Sequence, residues 1–330
     1  MPVRLPIART FFALALSIAL AACGSEGDGS DAMDEMAGAP ALPPGAEAIS
    51  FLGDTLYPPD QPAAVREVYE ARLSEAQDAL VNAPEDADSL IWMGRRTAYL
   101  GQYREAIEIY TNAAALHPND ARIYRHRGHR YLTVRETDNA IADFERAAAL
   151  VAGQPDEIEP DGLPNSINQP LSTLQFNIWY HLALAHYVEG RFEEALEAQR
   201  RCLEVSTNPD LLVATSYWLY MTLARLGRDE EAAEVLDAIT PDMEIVENDS
   251  YHQLLLLFKG DRMLEDVVGP GDDVTLASTT TAYGVGAWHL LEGRSDEAHA
   301  TWERILEGRS QWPAFGYLAA EGELARSAVL

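Results

Sequence analysis

The sequence predicts an all-α protein, a solenoid of antiparallel helix pairs, and three observations predict it. A pattern of small and aromatic residues recurs along the body, first as Gly101-x-Tyr103-x-x-Ala106-x-x-x-Tyr110-x-x-Ala113 closed by Pro118. It returns in five copies, more than the roughly three needed to bury a continuous core by stacking. With 330 residues, 47% of them apolar, the chain has the material for such a core and is not a disordered polymer.

The N-terminus reads as an address. Arg4 and Arg9 precede the apolar run from Phe11 to Ala22, which is shorter than the roughly 20 residues a membrane-spanning helix needs. Residues 1–22 therefore form a secretion signal. The run ends in Leu20-Ala21-Ala22-Cys23, which resembles the lipobox of bacterial lipoproteins. That resemblance implies a mature chain beginning at Cys23 and lipidated there, with palmitate-type acyl chains holding it at a membrane. Gly24, where an inner-membrane retention aspartate would stand, implies outer-membrane placement facing the periplasm.

Residues 23–60 read as a linker. From Gly24 to Ala48 the chain is rich in Gly, Ala, Ser, Pro and acids, with too few large side chains to offset the entropy of ordering. Phe51-Leu52 and Leu56-Tyr57, before Pro58 and Pro59, mark where the chain docks onto a folded body spanning 61–328. Ala63 to Val81 has helical apolar spacing and caps the first repeat.

The first unit, 87–120, has Gly94, Ala106, Tyr110 and Ala113 where two helices cross. The second, 121–154, repeats this with Gly128, Tyr131, Ala140, Phe144 and Ala147, but Arg135 holds the turn where glycine is usual. The third, 176–209, carries Trp179, Leu182, Ala183, Gly190, Phe192 and Ala195, with Gln199 and Cys202 in place of the aromatic and the alanine. The fourth, 213–246, has Leu219, Tyr220, Gly227, Ala232 and Leu236; the fifth, 279–310, has Val285, Gly286, Gly293, Ala298, Trp302 and Ile305. This succession resembles the tetratricopeptide repeat family, which implies a right-handed superhelical solenoid with a concave binding surface. A weaker helical pair at 250–268 reads as a degenerate repeat, and Pro313 to Ala328 reads as the closing cap.

By that resemblance the first helix of each pair lines the concave face. The mapping brings Arg95 and Tyr99 from the first unit, Arg122, Arg125 and His129 from the second, Tyr180 from the third and Tyr217 from the fourth into one partner-binding groove. The charge sharpens it. The chain carries −29, from 53 acidic and 24 basic residues, and of the basic ones only Lys259 is a lysine. Yet residues 95–135 hold eight arginines against Glu105, Glu108 and Asp120. Guanidinium forks pair bidentately with carboxylate or phosphate, so the groove is expected to take a peptide or an anionic envelope polymer. The other reading of these arginines is ion pairing with acids elsewhere in the fold. The overall negative field excludes general affinity for nucleic acid.

The stretch 155–175 is too long for an inter-repeat turn and carries Asp156, Glu157, Glu159 and Asp161. It reads either as a tolerated insertion or as a lid that neutralises the arginines. No HExxH, nucleophile elbow or phosphate-binding loop is present, so no enzymatic activity and no cofactor are expected. The expected role is that of a scaffold or adaptor in the bacterial envelope. The alternative is a metal-dependent enzyme or binder built from His126, His129, His181 and the acidic residues 156–161.

Overall fold

The computed structural model describes residues 42–268 and 276–328. Cys23, the signal segment and most of the tether lie outside the described residues. Within 23–60 the chain is not linker throughout: β1 (Ala48–Ile49) and β2 (Thr55–Leu56) pair as a small antiparallel hairpin. Ala48 and Leu56 are buried against the body, while Glu47 accepts from the backbone N–H of Arg104 at 2.8 Å.

Helix α1 (Ala63–Asn82) leads into pairs that pack side by side: α2 (Ala87–Tyr99) with α3 (Tyr103–Leu116), and α4 (Ala121–Thr133) with α5 (Thr137–Val151). They are followed by α6 (Leu174–Val188) with α7 (Phe192–Glu204), and α8 (Pro209–Arg225) with α9 (Asp229–Asp237). The first helices start on side-chain caps, Asp86 for α2, Asp120 for α4, Thr173 for α6 and Asn208 for α8, each satisfying an N–H that the helix leaves unpaired. Small residues let the partners approach: a Cβ on Gly94 would fall 2.5 Å from the Tyr110 ring.

Helices α10 (Asp249–Lys259) and α11 (Leu264–Val267) form the weak pair, and α12 (Leu276–Leu291) with α13 (Ser295–Glu307) the last one. The fourteenth helix, α14 (Phe315–Ser327), differs from the expected cap. It packs on α12 and α13 but also on α6, and Gly316 through Glu323 are all buried. Its Gly322 lies so close to α6 that a Cβ would sit 2.6 Å from the Val188 carbonyl oxygen.

A buried ion pair and a partly buried one hold α14 there. Glu321 receives both Arg135 Nε (3.0 Å) and Nη2 (2.8 Å), and Glu323 receives Arg225 at 2.8 Å. Arg135 is the residue that stands where Gly101, Gly190, Gly227 and Gly293 turn the other pairs with positive φ, and it adopts φ 66° itself. A left-handed conformation costs a non-glycine residue roughly 1–2 kcal/mol. The side chain offsets this by reaching across the concave side to Glu321, to the Trp312 carbonyl (2.9 Å) and over the Trp312 ring.

Candidate functional site

Helices α2 and α4 present a cationic and aromatic wall. Trp92 carries the guanidinium groups of Arg95 and Arg96 at 4.4 and 4.6 Å from its ring centre. Arg125, buried, comes from α4 with His126 and His129, and Arg130 stands 5.5 Å over the Tyr103 ring. Burial lowers the pKa of Arg125 and of Arg130, and repulsion from Arg95 lowers both further.

The segment 157–162 lies across this wall. Its first three residues are pinned to residues 172–174: Ile158 bridges Thr173, Glu159 N–H donates to the Ser172 carbonyl, and Leu174 N–H donates to that of Glu157. From there Glu159 points inward, its carboxylate 2.9 Å from Arg125 Nε and 4.0 Å from His126 Nε2. Arg95 donates to the Pro160 carbonyl at 2.9 Å and Arg96 to that of Gly162 at 2.8 Å. Gly162 sits against Tyr99 with no room for a Cβ. Beyond it, Asn165 donates to Glu247 at 2.7 Å, so the insertion spans the mouth as a strap. A cavity of about 200 Å³ remains beneath, bounded by Arg95, Arg122, His126 and Glu159.

The structure brings Arg95, Tyr99, Arg122 and Arg125 around the strap, with His129 on the same helix as the last two, and places the remaining two tyrosines of the sequence-derived site elsewhere. Arg122 turns to Asp120 and Asp88, with 2.6 Å contacts to each. Tyr180 is interior, accepting from Trp218 Nε1 at 2.8 Å and donating to Tyr251. Tyr217 is fully buried and stacks on Tyr251 with ring centres 4.5 Å apart. These two tyrosines do not line an open groove, because α14 and α10 cover the concave sides of α6 and α8. Sequence reasoning did not single out Arg130, the particular pairing of Glu159 with Arg125, or the packing of α14 on α6. A signal for α14 existed: α6 and α8 are apolar nearly all round, and a helix without a polar face is buried on every side.

His126, His129 and His181 do converge, the last two with ring centres 4.4 Å apart. Among the described residues no group of three or more His, Cys, Asp or Glu is placed to hold an ion, so this convergence gives the metal-dependent reading no support. Burial and the nearby Arg125 and Arg130 hold all three imidazoles well below the usual histidine range. His181 donates through Nδ1 to the Asn177 carbonyl, and its ring lies between Phe144 and Phe315. Cys202 is likewise a packing residue. It is buried against Thr215, its thiol pushed up to about 12 by burial, which leaves almost no thiolate at neutral pH.

With this geometry in place the chain can be compared with known proteins. Two segments, 92–155 and 176–209, match family models described as tetratricopeptide repeat. The chain carries tetratricopeptide repeats. A curated relative, the small glutamine-rich tetratricopeptide repeat-containing protein 2 of Saccharomyces cerevisiae, is 28% identical over 138 residues, 40% of this chain. The matched region spans about a third (34%) of that relative. Among solved structures, YrrB, titled a TPR protein with an unusual peptide-binding site, is similar at 16% identity and TM-score 0.41, covering 70% of this chain and 91% of that one. MamA is similar at 15% identity and TM-score 0.41, covering 60% and 95%.

The two matched segments bracket the strap. The tetratricopeptide units thus supply the wall from α2 and α4, and the insertion between the matched segments supplies what lies on it.

Proposed function

We propose that this chain is a lipid-anchored interaction scaffold of the bacterial envelope, whose concave wall binds an extended acidic peptide that competes with its own strap. The observation that carries the reading is Glu159: an acidic, extended segment of the chain already occupies the wall, with its carboxylate on Arg125 and its carbonyls on Arg95 and Arg96. A peptide of similar charge reproduces those contacts and adds a carboxylate for Arg130, which has no ion pair among the described residues.

Binding of a fluorescein-labelled Asp-Glu-Ile-Glu-Pro-Asp-Gly peptide, a copy of residues 156–162, tests this by anisotropy. Glu159→Gln weakens the internal competitor, so affinity is expected to rise about tenfold, the equivalent of 1.4 kcal/mol. Adding Arg95→Glu is expected to remove the gain. Equal or absent binding in wild type and Glu159→Gln would mean that the strap is a fixed part of the fold.

The anchor rests on Leu20-Ala21-Ala22-Cys23, and no helix among the described residues is long and apolar enough to cross a membrane. In cells fed labelled palmitate, Cys23→Ser is expected to abolish labelling and to shift the protein from the membrane to the soluble fraction. Undiminished labelling of that variant would disprove lipidation at Cys23.

A further inference from the structure

A second surface lies on the other side of the repeats, between α5 and α7, where small side chains leave the helices unfilled. Ala148 and Ala149 on α5 and Ala198 on α7 border a groove of about 650 Å³ whose floor is Trp179, Leu182 and His186 of α6. Its rim is acidic. Glu145, Glu194 and Glu197 are exposed there and make no ion pair with a described residue, whereas Arg201, the arginine at the same rim, is spoken for by Glu204 at 3.2 Å.

Two features of the floor are unmet by the chain itself. His186 is 8% exposed, yet its Nδ1 has no hydrogen-bond partner among the described residues. A buried polar atom in that state is destabilising until a partner meets it. The other feature is the Trp179 ring. Of the three half-buried tryptophans, Trp92 carries Arg95 and Arg96, and Trp288 carries Arg294 at 4.4 Å. Trp179, in the acidic groove, carries no arginine among the described residues.

We infer that the groove between α5 and α7 binds an arginine side chain presented by a basic segment of a partner protein. The guanidinium lies on the Trp179 ring, donates one N–H to His186 Nδ1, and is neutralised by Glu194 and Glu197 with Glu145 opposite. A planar cation is the fitting occupant, because it satisfies the π face, the lone acceptor and the paired carboxylates at once. An ammonium satisfies only the charge. The site is independent of the concave wall, which has the opposite charge and different helices.

The test uses the full chain in detergent and a fluorescein-labelled Gly-Ser-Arg-Ser-Arg-Ser-Gly peptide, with its lysine counterpart, at physiological salt. The arginine peptide is expected to bind at least tenfold more tightly than the lysine one. Trp179→Leu and the pair Glu194→Gln with Glu197→Gln are each expected to weaken it tenfold. The pair Glu230→Gln with Glu234→Gln, which removes the same charge from exposed positions on α9, is expected to leave it unchanged. Equal loss in both glutamate pairs, equal binding of the two peptides, or no binding to a wild-type chain of unchanged helicity would each overturn the proposal.

Discussion

Glu321→Ala is expected to destabilise the protein by about 3–5 kcal/mol, the cost typical of stranding a buried charge. Glu321 and Arg135 are 1% and 3% exposed at their side chains. Without the carboxylate, the guanidinium keeps the Thr133 and Trp312 carbonyls as acceptors but has no counter-charge in a dry setting. The pair links the turn of the second unit to a helix 186 residues further on. Removing both charges should hurt less. Arg135→Gly suits φ 66° and Glu321→Leu fills the space of the carboxylate, so the double variant is expected to recover a good part of the loss. Urea unfolding followed by circular dichroism measures both. A double variant as unstable as the sum of its single changes would show that the pair is not the unit holding α14.

Acidification from pH 7.5 to 5.5 is expected to remove about 3 kcal/mol of stability through His126 and His181. Both are buried, and their pKa values in the fold are lowered by desolvation first and by Arg125 next. The folded protein therefore keeps them neutral, while the unfolded chain takes up protons below about pH 6.5. Because the unfolded state binds more protons, stability is full above that pH and is lost as pH falls toward the lowered folded values. Each histidine has removed about 1.4 kcal/mol by one unit below its unfolded pKa. His129 shifts in the same direction and adds to the trend. Carboxylates with raised values, such as Asp143, act in the opposite sense at more acid pH. His181→Phe isolates the effect, since the phenyl ring keeps the contacts with Phe144 and Phe315. The slope of stability against pH between 6.5 and 5.5 should fall by about 1 kcal/mol per unit in that variant. An unchanged slope would assign the acid sensitivity elsewhere.

The helix pairs were legible because their packing is local. Gly94 faces Tyr110 and Gly128 faces Phe144 within single units, so the spacing of small and aromatic residues already encodes which faces meet. The basic character of α2 and α4 was legible too, as arginines concentrated in 95–135. What those arginines touch was not. Arg127 turns to Asp143 within its own unit, Arg122 to Asp120 and Asp88 of the preceding one, and Arg125 meets Glu159 across an insertion. Tyr180 and Tyr217 occupied concave register positions and proved to be core, since register says which way a side chain points and not what later covers it.

The sequence alone determined the all-helical repeat architecture, the arginine-rich stretch and the lipobox-like start, all of which are written in short-range spacing and composition. Only the tertiary structure decided that α14 enters the concave side, that the strap lies on the cationic wall and that an acidic groove opens between α5 and α7. Those outcomes depend on contacts such as Arg135 with Glu321 and Asn165 with Glu247, separated by 186 and 82 residues. Such pairs leave no period in the chain, because either partner alone is an ordinary polar residue until folding brings the two together.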